Sequence, residues 1–309
     1  MVGPVRILNF DNSVTRQKRL IERFSPSVVD LTKFGPAARL YSDEKTFNQI
    51  RASIDPAAKH SVTFLGSGDF HHVASLLIDQ FSEDISVISF DRHPDWDMMP
   101  PRISCGAWVT KIAEKENVKK IILLGASSGD ISPNVIQTGS YDLLKDDRVE
   151  IYPYQHKPTK VFLKNIPKNI SITVKNGLFF NEIYWQELKD KNIAEFFLHI
   201  LRRLPTKKVY VTIDKDCLYD RYSLTNWEEG ALDLGDLLLM LNFIKENCQI
   251  AGLDITGDYS LVKAEGFIRT AINDIGHPRH FSAMDKDQSI IDSVNEATNI
   301  RILELLLPS

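Results

Sequence analysis

The amino-acid sequence predicts an α/β protein in three layers, a mostly parallel central sheet flanked by helices, with residues 1–309 forming a single domain. Three observations predict it. Short runs rich in β-branched residues are apolar on both faces, as strands covered from both sides must be. Those runs alternate with segments of helical periodicity. The densest polar clusters follow the runs directly, where a parallel sheet places its ligand crevices.

The elements follow in order. Residues 61–65 (Ser-Val-Thr-Phe-Leu) read as a strand, with a helix expected over about 72–81. Residues 85–90 are a second strand, followed after a loop by an apolar-periodic segment over 107–116. Residues 120–124 give a third strand that stops at Gly125. Residues 208–213 and 249–253 are strands flanking a helix over about 234–246. The stretch from 127 to 176 holds Gly129, Pro133, Gly139, Pro153, Pro158 and Pro167, so it contains several turns. It reads either as an excursion from the main sheet or as a small appended subdomain. Residues 184–204 have helical periodicity and end in Arg202-Arg203-Leu204-Pro205, a helix stop. No repeat, low-complexity tract or flexible linker interrupts the chain.

Composition narrows the function classes. Hydrophobic residues make up 43% and charged residues 25%, ordinary for a globular protein. The formal charge of −4 is scattered without a basic stripe, so no nucleic acid or membrane partner is expected. Cys105, Cys217 and Cys248 are too sparse for a disulfide framework and form no CxxC pair. The first residues lack a signal-peptide pattern, and no run approaches the roughly 18 apolar residues that span a bilayer. A cytoplasmic protein with a small-molecule substrate is the expectation.

Chemistry concentrates in three clusters, each after a strand: Gly68-Asp69-Phe70-His71-His72, Asp91-Arg92-His93-Pro94-Asp95-Trp96-Asp97, and Asp214-Lys215-Asp216. In a parallel sheet these converge on one edge although about 120 residues separate the second from the third. Alternate residues of an extended segment project the same way, so Asp91, His93 and Asp95 can act together, as can Asp214 and Asp216. Four convergent carboxylates repel unless cations sit between them. Two divalent cations resolve the conflict, and the oxygen-rich donor set favours Mn²⁺, with Fe²⁺ or Zn²⁺ open. Alone, a DxD after a strand more often caps a helix or makes a turn. Its coincidence with DxHxD and a GD-F-HH turn is what points to metal.

These motifs resemble the arginase/agmatinase/formiminoglutamase (ureohydrolase) superfamily, whose GGDH, DAHxD and DxDxxDP segments fall in this order at strand ends. Ala251-Gly252-Leu253-Asp254-Ile255 is similar to that family's later SGLDI-like strand. The similarity covers roughly residues 61–110 and 207–260. It implies an arginase-like fold, a homo-oligomer, and Asp91 and Asp214 bridging two cations. His71 and Asp95 would complete one site, His93 and Asp216 the other. Phe70 is an extra residue before the histidine pair, which leaves His71 or His72 as the ligand. His71 is favoured, with His72 at the pocket mouth as a catalytic candidate. A water shared by two cations has its pKa lowered enough to supply hydroxide near neutral pH. That hydroxide would attack a planar carbon and cleave a non-peptide C–N bond, with Asp216 carrying the proton to the leaving nitrogen.

Departures from the family bear on substrate. Val109 stands where the family has a histidine, Asp97 where it has an asparagine that holds the amino-acid end of arginine, and Gly257 where it has a guanidinium-binding glutamate. Asp258 could take over that last role, with a turn aspartate as the plain alternative. Trp96, Trp108 and Trp227 could line a pocket for a flat or cationic group, two of the three being expected in the core. A guanidino, formimino or amide substrate stays open. A metallophosphoesterase would carry DxH, then GDxxD, then GNHD or GNHE; here the Gly68-Asp69 segment precedes Asp91-Arg92-His93, and no GNH occurs. A mononuclear zinc deacetylase would need another aspartate–histidine arrangement. A catalytically silent binding protein on the same fold is the rival from a different class. The Gly276-His277-Pro278-Arg279-His280 segment, His60, His156 and His199 are assigned no role in the site.

Overall fold

The structure is a computed structural model that describes residues 3–98, 100–131, 139–162, 165–266 and 287–307. The Gly276 to His280 segment lies outside the described residues.

Eight strands form the main sheet: β1 (Val5–Asn9), β2 (Ser27–Asp30), β3 (Val62–Gly66), β4 (Ile85–Phe90), β5 (Val118–Leu124), β6 (Val149–Tyr152), β10 (Lys208–Asp214) and β11 (Gln249–Thr256). Their order is β2-β1-β3-β11-β10-β4-β5-β6, and every pairing is parallel. Three further strands, β7 (Thr159–Phe162), β8 (Ile172–Lys175) and β9 (Phe180–Trp185), make a separate antiparallel sheet in the order β7-β9-β8. The proline-rich stretch thus does both things: β6 returns to the main sheet, and β7 to β9 form an appended layer.

The helices are α1 (Lys18–Phe24), α2 (Gly35–Ala38), α3 (Glu44–Ser53), α4 (Ala74–Ile78), α5 (Trp108–Ala113), α6 (Ile193–Arg202), α7 (Leu234–Asn247) and α8 (Gln288–Leu306). Alternation along the strands feeds two cores. Leu65, Val87, Ile121, Leu123 and Tyr210 pack with α3, α4 and α5 on one face. Phe64, Ile88, Phe90, Val211, Ile213 and Leu253 pack with α1, α6, α7 and α8 on the other. Each fully buried Leu, Ile or Phe contributes on the order of 1.5–3 kcal/mol, so both faces hold the sheet. This is the three-layer architecture that the doubly apolar strands require.

Two helix boundaries differ from the sequence expectation. The segment after β3 is a 3-10 helix, Gly68–Val73, and only Ala74–Ile78 is α-helical, in place of a helix over 72–81. Ser67 starts the tighter turn by accepting a hydrogen bond from the Asp69 amide through Oγ. The periodic stretch 184–204 is helical only from Ile193, where Asn192 accepts from the Glu195 amide. Its first residues finish β9, with Ile183 and Trp185 buried under the small sheet. Among the described residues, no helix is long and apolar enough to cross a membrane.

Candidate metal centre

Because β3, β11, β10 and β4 are neighbours and parallel, their carboxyl ends lie side by side. The loops after β3, β4 and β10 therefore meet, as the three polar clusters predict. Asp91 follows the last residue of β4, and its Oδ1 accepts from the His93 amide at 2.7 Å. Asp214 ends β10, and its Oδ1 accepts from the Asp216 amide at 3.0 Å. Asp216 in turn accepts from the Arg92 amide at 3.1 Å, which ties the two loops together. Asp95 sits at φ 47°, a left-handed conformation costly for a non-glycine residue. Its Oδ2 accepts from Trp108 Nε1 at 2.6 Å, and its carbonyl accepts from the Val109 amide. Those bonds hold the aspartate in place.

Two groups of potential metal ligands result: His71, Asp91 and Asp214, and Asp91, His93 and Asp216. Asp91 belongs to both. In each group the donor atoms lie within 4.8 Å of one another. His71 Nδ1 stands 3.1 Å from Asp91 Oδ2, 3.1 Å from Asp95 Oδ2 and 3.7 Å from Asp214 Oδ2. His93 Nδ1 stands 2.9 Å from Asp216 Oδ2 and 3.8 Å from Asp91 Oδ1.

The paired histidines have different surroundings. His71 Nε2 is 2.8 Å from Thr212 Oγ1, whose own proton goes to Asp254 Oδ1 at 2.8 Å. Asp254 also accepts from Tyr210 OH at 2.7 Å. The Thr212 hydroxyl has already donated, so it accepts the Nε2 proton; in the neutral ring this leaves a lone pair on Nδ1, facing the carboxylates. His72 points elsewhere. Its Nε2 lies 2.9 Å from Ser42 Oγ and its ring stacks on Phe47, so it is buried and does not stand at a pocket mouth as expected.

The electrostatics describe an anionic hole. Burial raises the proton affinity of Asp91, Asp95, Asp214 and Asp216, and the neighbouring carboxylates add to it at Asp91, Asp214 and Asp216. Burial opposes charge on His71 and His93, but Asp91 and Asp95 around the first and Asp216 and Glu228 around the second outweigh it, so both pKa values rise. His71 Nδ1 and Asp91 Oδ2 are buried without a hydrogen-bond partner. Buried orphan donors and acceptors are costly in isolation and are what a cation would satisfy. A donor set of imidazoles and carboxylates fits a divalent ion of borderline to hard character.

The cluster opens into a cavity of about 270 Å³ whose walls include Tyr41, Asp97, Asp130 and Trp227. Of the sequence-level substrate candidates, Asp97 reaches this cavity and two do not. Trp108 is buried, with its ring 4.7 Å from His71 and its indole N–H on Asp95, so it braces a cluster aspartate and does not face the cavity. Asp258 is also buried, paired with Lys215 Nζ at 2.9 Å and accepting from Gln17 Nε2 at 2.7 Å. A carboxylate saturated by an internal cation cannot replace the guanidinium-binding glutamate missing at Gly257. Trp96 is core, which leaves Trp227 as the cavity tryptophan.

Sequence reasoning passed over Glu228 and Asp130, whose carboxylates lie 3.5 and 4.0 Å from His93 Nε2. The His93 contact holds the Glu228 carboxyl down at about 2. A signal existed: Asp130 follows β5 and Glu228 lies in the loop after β10, on the same carboxyl edge as the named clusters.

No protein-family model matches the chain. An uncharacterized protein from Thermotoga maritima is 26% identical over 197 residues, which is 64% of this chain and 58% of that relative's length. Solved structures match across nearly the whole length. The arginase of Bacillus subtilis aligns with a TM-score of 0.61 at 13% identity, covering 100% of this chain and 99% of that one. The arginase of Bacillus caldovelox gives 0.57 at 12% identity, covering 99% of each chain. A Trypanosoma cruzi formiminoglutamase with Mn²⁺ gives 0.54 at 12% identity, covering 99% of this chain and 95% of that one. At such identities the likeness is one of architecture: the chain carries an arginase-like fold.

Proposed function

We propose that this protein is a metal-dependent hydrolase acting on a carbon–nitrogen bond outside peptides, in a small guanidino, formimino or amide compound. The observation that carries the reading is the pair of largely buried groups of potential ligands sharing Asp91 at the carboxyl edge of an arginase-like sheet. The similar arginases and the Mn²⁺-containing formiminoglutamase support it. His71, Asp91, Asp95 and Asp214 would hold one divalent cation, Mn²⁺ by the donor chemistry. His93 and Asp216 would hold a second, with Asp91 and Asp214 shared. Bound there, the pair supplies the positive charge that makes water acidic enough to serve as nucleophile near neutral pH.

The chain's own residues do the rest. Thr212 fixes the His71 ring, Trp108 fixes the Asp95 carboxylate, and the Arg92 amide fixes Asp216. Asp216, on the cavity wall beside His93, would carry the proton to the leaving nitrogen. Asp97 on the cavity wall repels a substrate carboxylate, so arginine itself is disfavoured.

Screening the Mn²⁺-loaded protein against guanidino, formimino and amide compounds, for urea, formamide or ammonia, tests the proposal. Release from one class, abolished in Asp91→Asn and Asp214→Asn, is the expected result. Two bound cations with no release from any class would point to a silent binding protein on this fold.

A further inference from the structure

We infer that Glu228 is the positioning residue for His93, fixing the ring so that Nδ1 faces Asp91 and Asp216. The inference rests on the metal-dependent reading above and assigns a role within it. An imidazole that offers one nitrogen to a cation carries its proton on the other, and that N–H needs an acceptor to set tautomer and ring angle. For His71 the acceptor is Thr212. For His93 the outward nitrogen, Nε2, lies 3.5 Å from Glu228 Oε2 and 4.0 Å from Asp130 Oδ2, and Glu228 is the nearer.

The loop that carries Glu228 is built to hold it there. Asn226 Oδ1 accepts from Ser67 Oγ at 3.1 Å and from the Ser260 amide at 2.8 Å, anchoring the loop to the segments after β3 and β11. Thr225 Oγ1 accepts from the Trp227 amide at 3.0 Å. At the far end the Gly230 amide donates to the Leu218 carbonyl at 3.1 Å, and Arg92 donates to the Glu229 carbonyl. Gly230 lies so close that an added Cβ would sit 2.0 Å from the Cys217 carbonyl carbon. Trp227 then meets the His93 ring edge-on at 5.1 Å. The imidazole is confined by Asp216 on one nitrogen, Glu228 on the other and an indole beside it.

Equilibrium Mn²⁺ binding to the full chain tests this, comparing wild type with Glu228→Ala, Glu228→Gln and Asp130→Asn. The wild type should take up two cations. Glu228→Ala should weaken one of them roughly 10- to 100-fold and leave the other unchanged. Glu228→Gln, whose amide oxygen still accepts from Nε2–H, should recover most of that affinity, and Asp130→Asn should stay near wild type. At limiting Mn²⁺ the Ala variant should lose kcat and regain it in excess metal, with KM constant. Wild-type binding of both cations by Glu228→Ala would overturn the assignment, as would loss in Asp130→Asn instead. A wild type that binds no Mn²⁺ would take down the hydrolase reading itself, and this inference with it.

Discussion

His71 and His72 are adjacent in sequence and have unrelated surroundings, because consecutive side chains of a 3-10 turn diverge by about 120°. One ring turns toward Asp91 and the other toward Ser42 and Phe47. The residue that determines how His71 presents Nδ1 is Thr212, 141 positions away. Replacing it by valine removes the acceptor for Nε2–H while keeping the branched shape. Thr212→Val should therefore weaken Mn²⁺ binding roughly 10- to 100-fold, and Thr212→Ser should restore most of it. Calorimetric titration of the three proteins decides the matter, and equal affinities would show that the Tyr210–Asp254–Thr212 chain does not govern the ring.

Residue-level chemistry was partly legible for a definable reason. Their position at or just after the ends of β4 and β10 in a parallel sheet brings Asp91, His93, Asp95, Asp214 and Asp216 to one edge. The extended alternation expected within each cluster is absent, since Asp216 lies in a 3-10 turn and Asp95 sits at φ 47°. His72, Trp108 and Asp258 were misread because their partners are remote: Ser42, Asp95 across a loop, and Lys215 with Gln17. Nothing local distinguishes an aspartate awaiting a substrate cation from one that already has a lysine.

Among the elements, the strands were the most readable, since β4 and β10 are apolar on both faces and bounded by polar clusters. Helix starts were less so. The 184–204 periodicity ran across the end of β9 because a strand residue buried under the small sheet and a helix residue buried under the main one look alike in sequence. The loop after β10 carries Trp227 and Glu228 to the His93 ring. Its tightest point is Gly230, where a methyl group would collide with backbone. Gly230→Ala should cost roughly 3 kcal/mol in stability and displace Trp227 and Glu228 from His93. Denaturant unfolding with Mn²⁺ titration measures both effects, and an unchanged midpoint would mean that the loop relaxes freely.

For the whole molecule, the carboxyl edge gathers buried carboxylates whose proton affinity is raised. The consequence is a pH dependence with a defined sign. Burial raises the Asp254 carboxyl to about 6, and Asp91, Asp95, Asp214 and Asp216 also rise. A carboxyl whose folded pKa lies above its unfolded value binds its proton more tightly in the folded state. Its contribution to stability is full below about pH 4 and is lost as pH rises through about 6. His71, also raised, acts in the same direction. Glu228, held near 2, acts oppositely but only at lower pH. The cation-free protein should therefore melt at lower temperature at about pH 7.5 than at about pH 5.5, and Mn²⁺ should stabilise it more at the higher pH. A flat or rising cation-free profile across that interval would contradict a centre whose buried carboxyls hold protons more tightly in the folded state.

If Asp91 is shared by two metal sites, the metal content of the protein reveals it. The protein is reconstituted with Mn²⁺, freed of excess and analysed for metal per chain, beside Asp91→Asn. About two equivalents are expected in the wild type and loss of both in the variant, because Asp91 belongs to both groups. Well under one equivalent in the wild type, or two retained by Asp91→Asn, would contradict it.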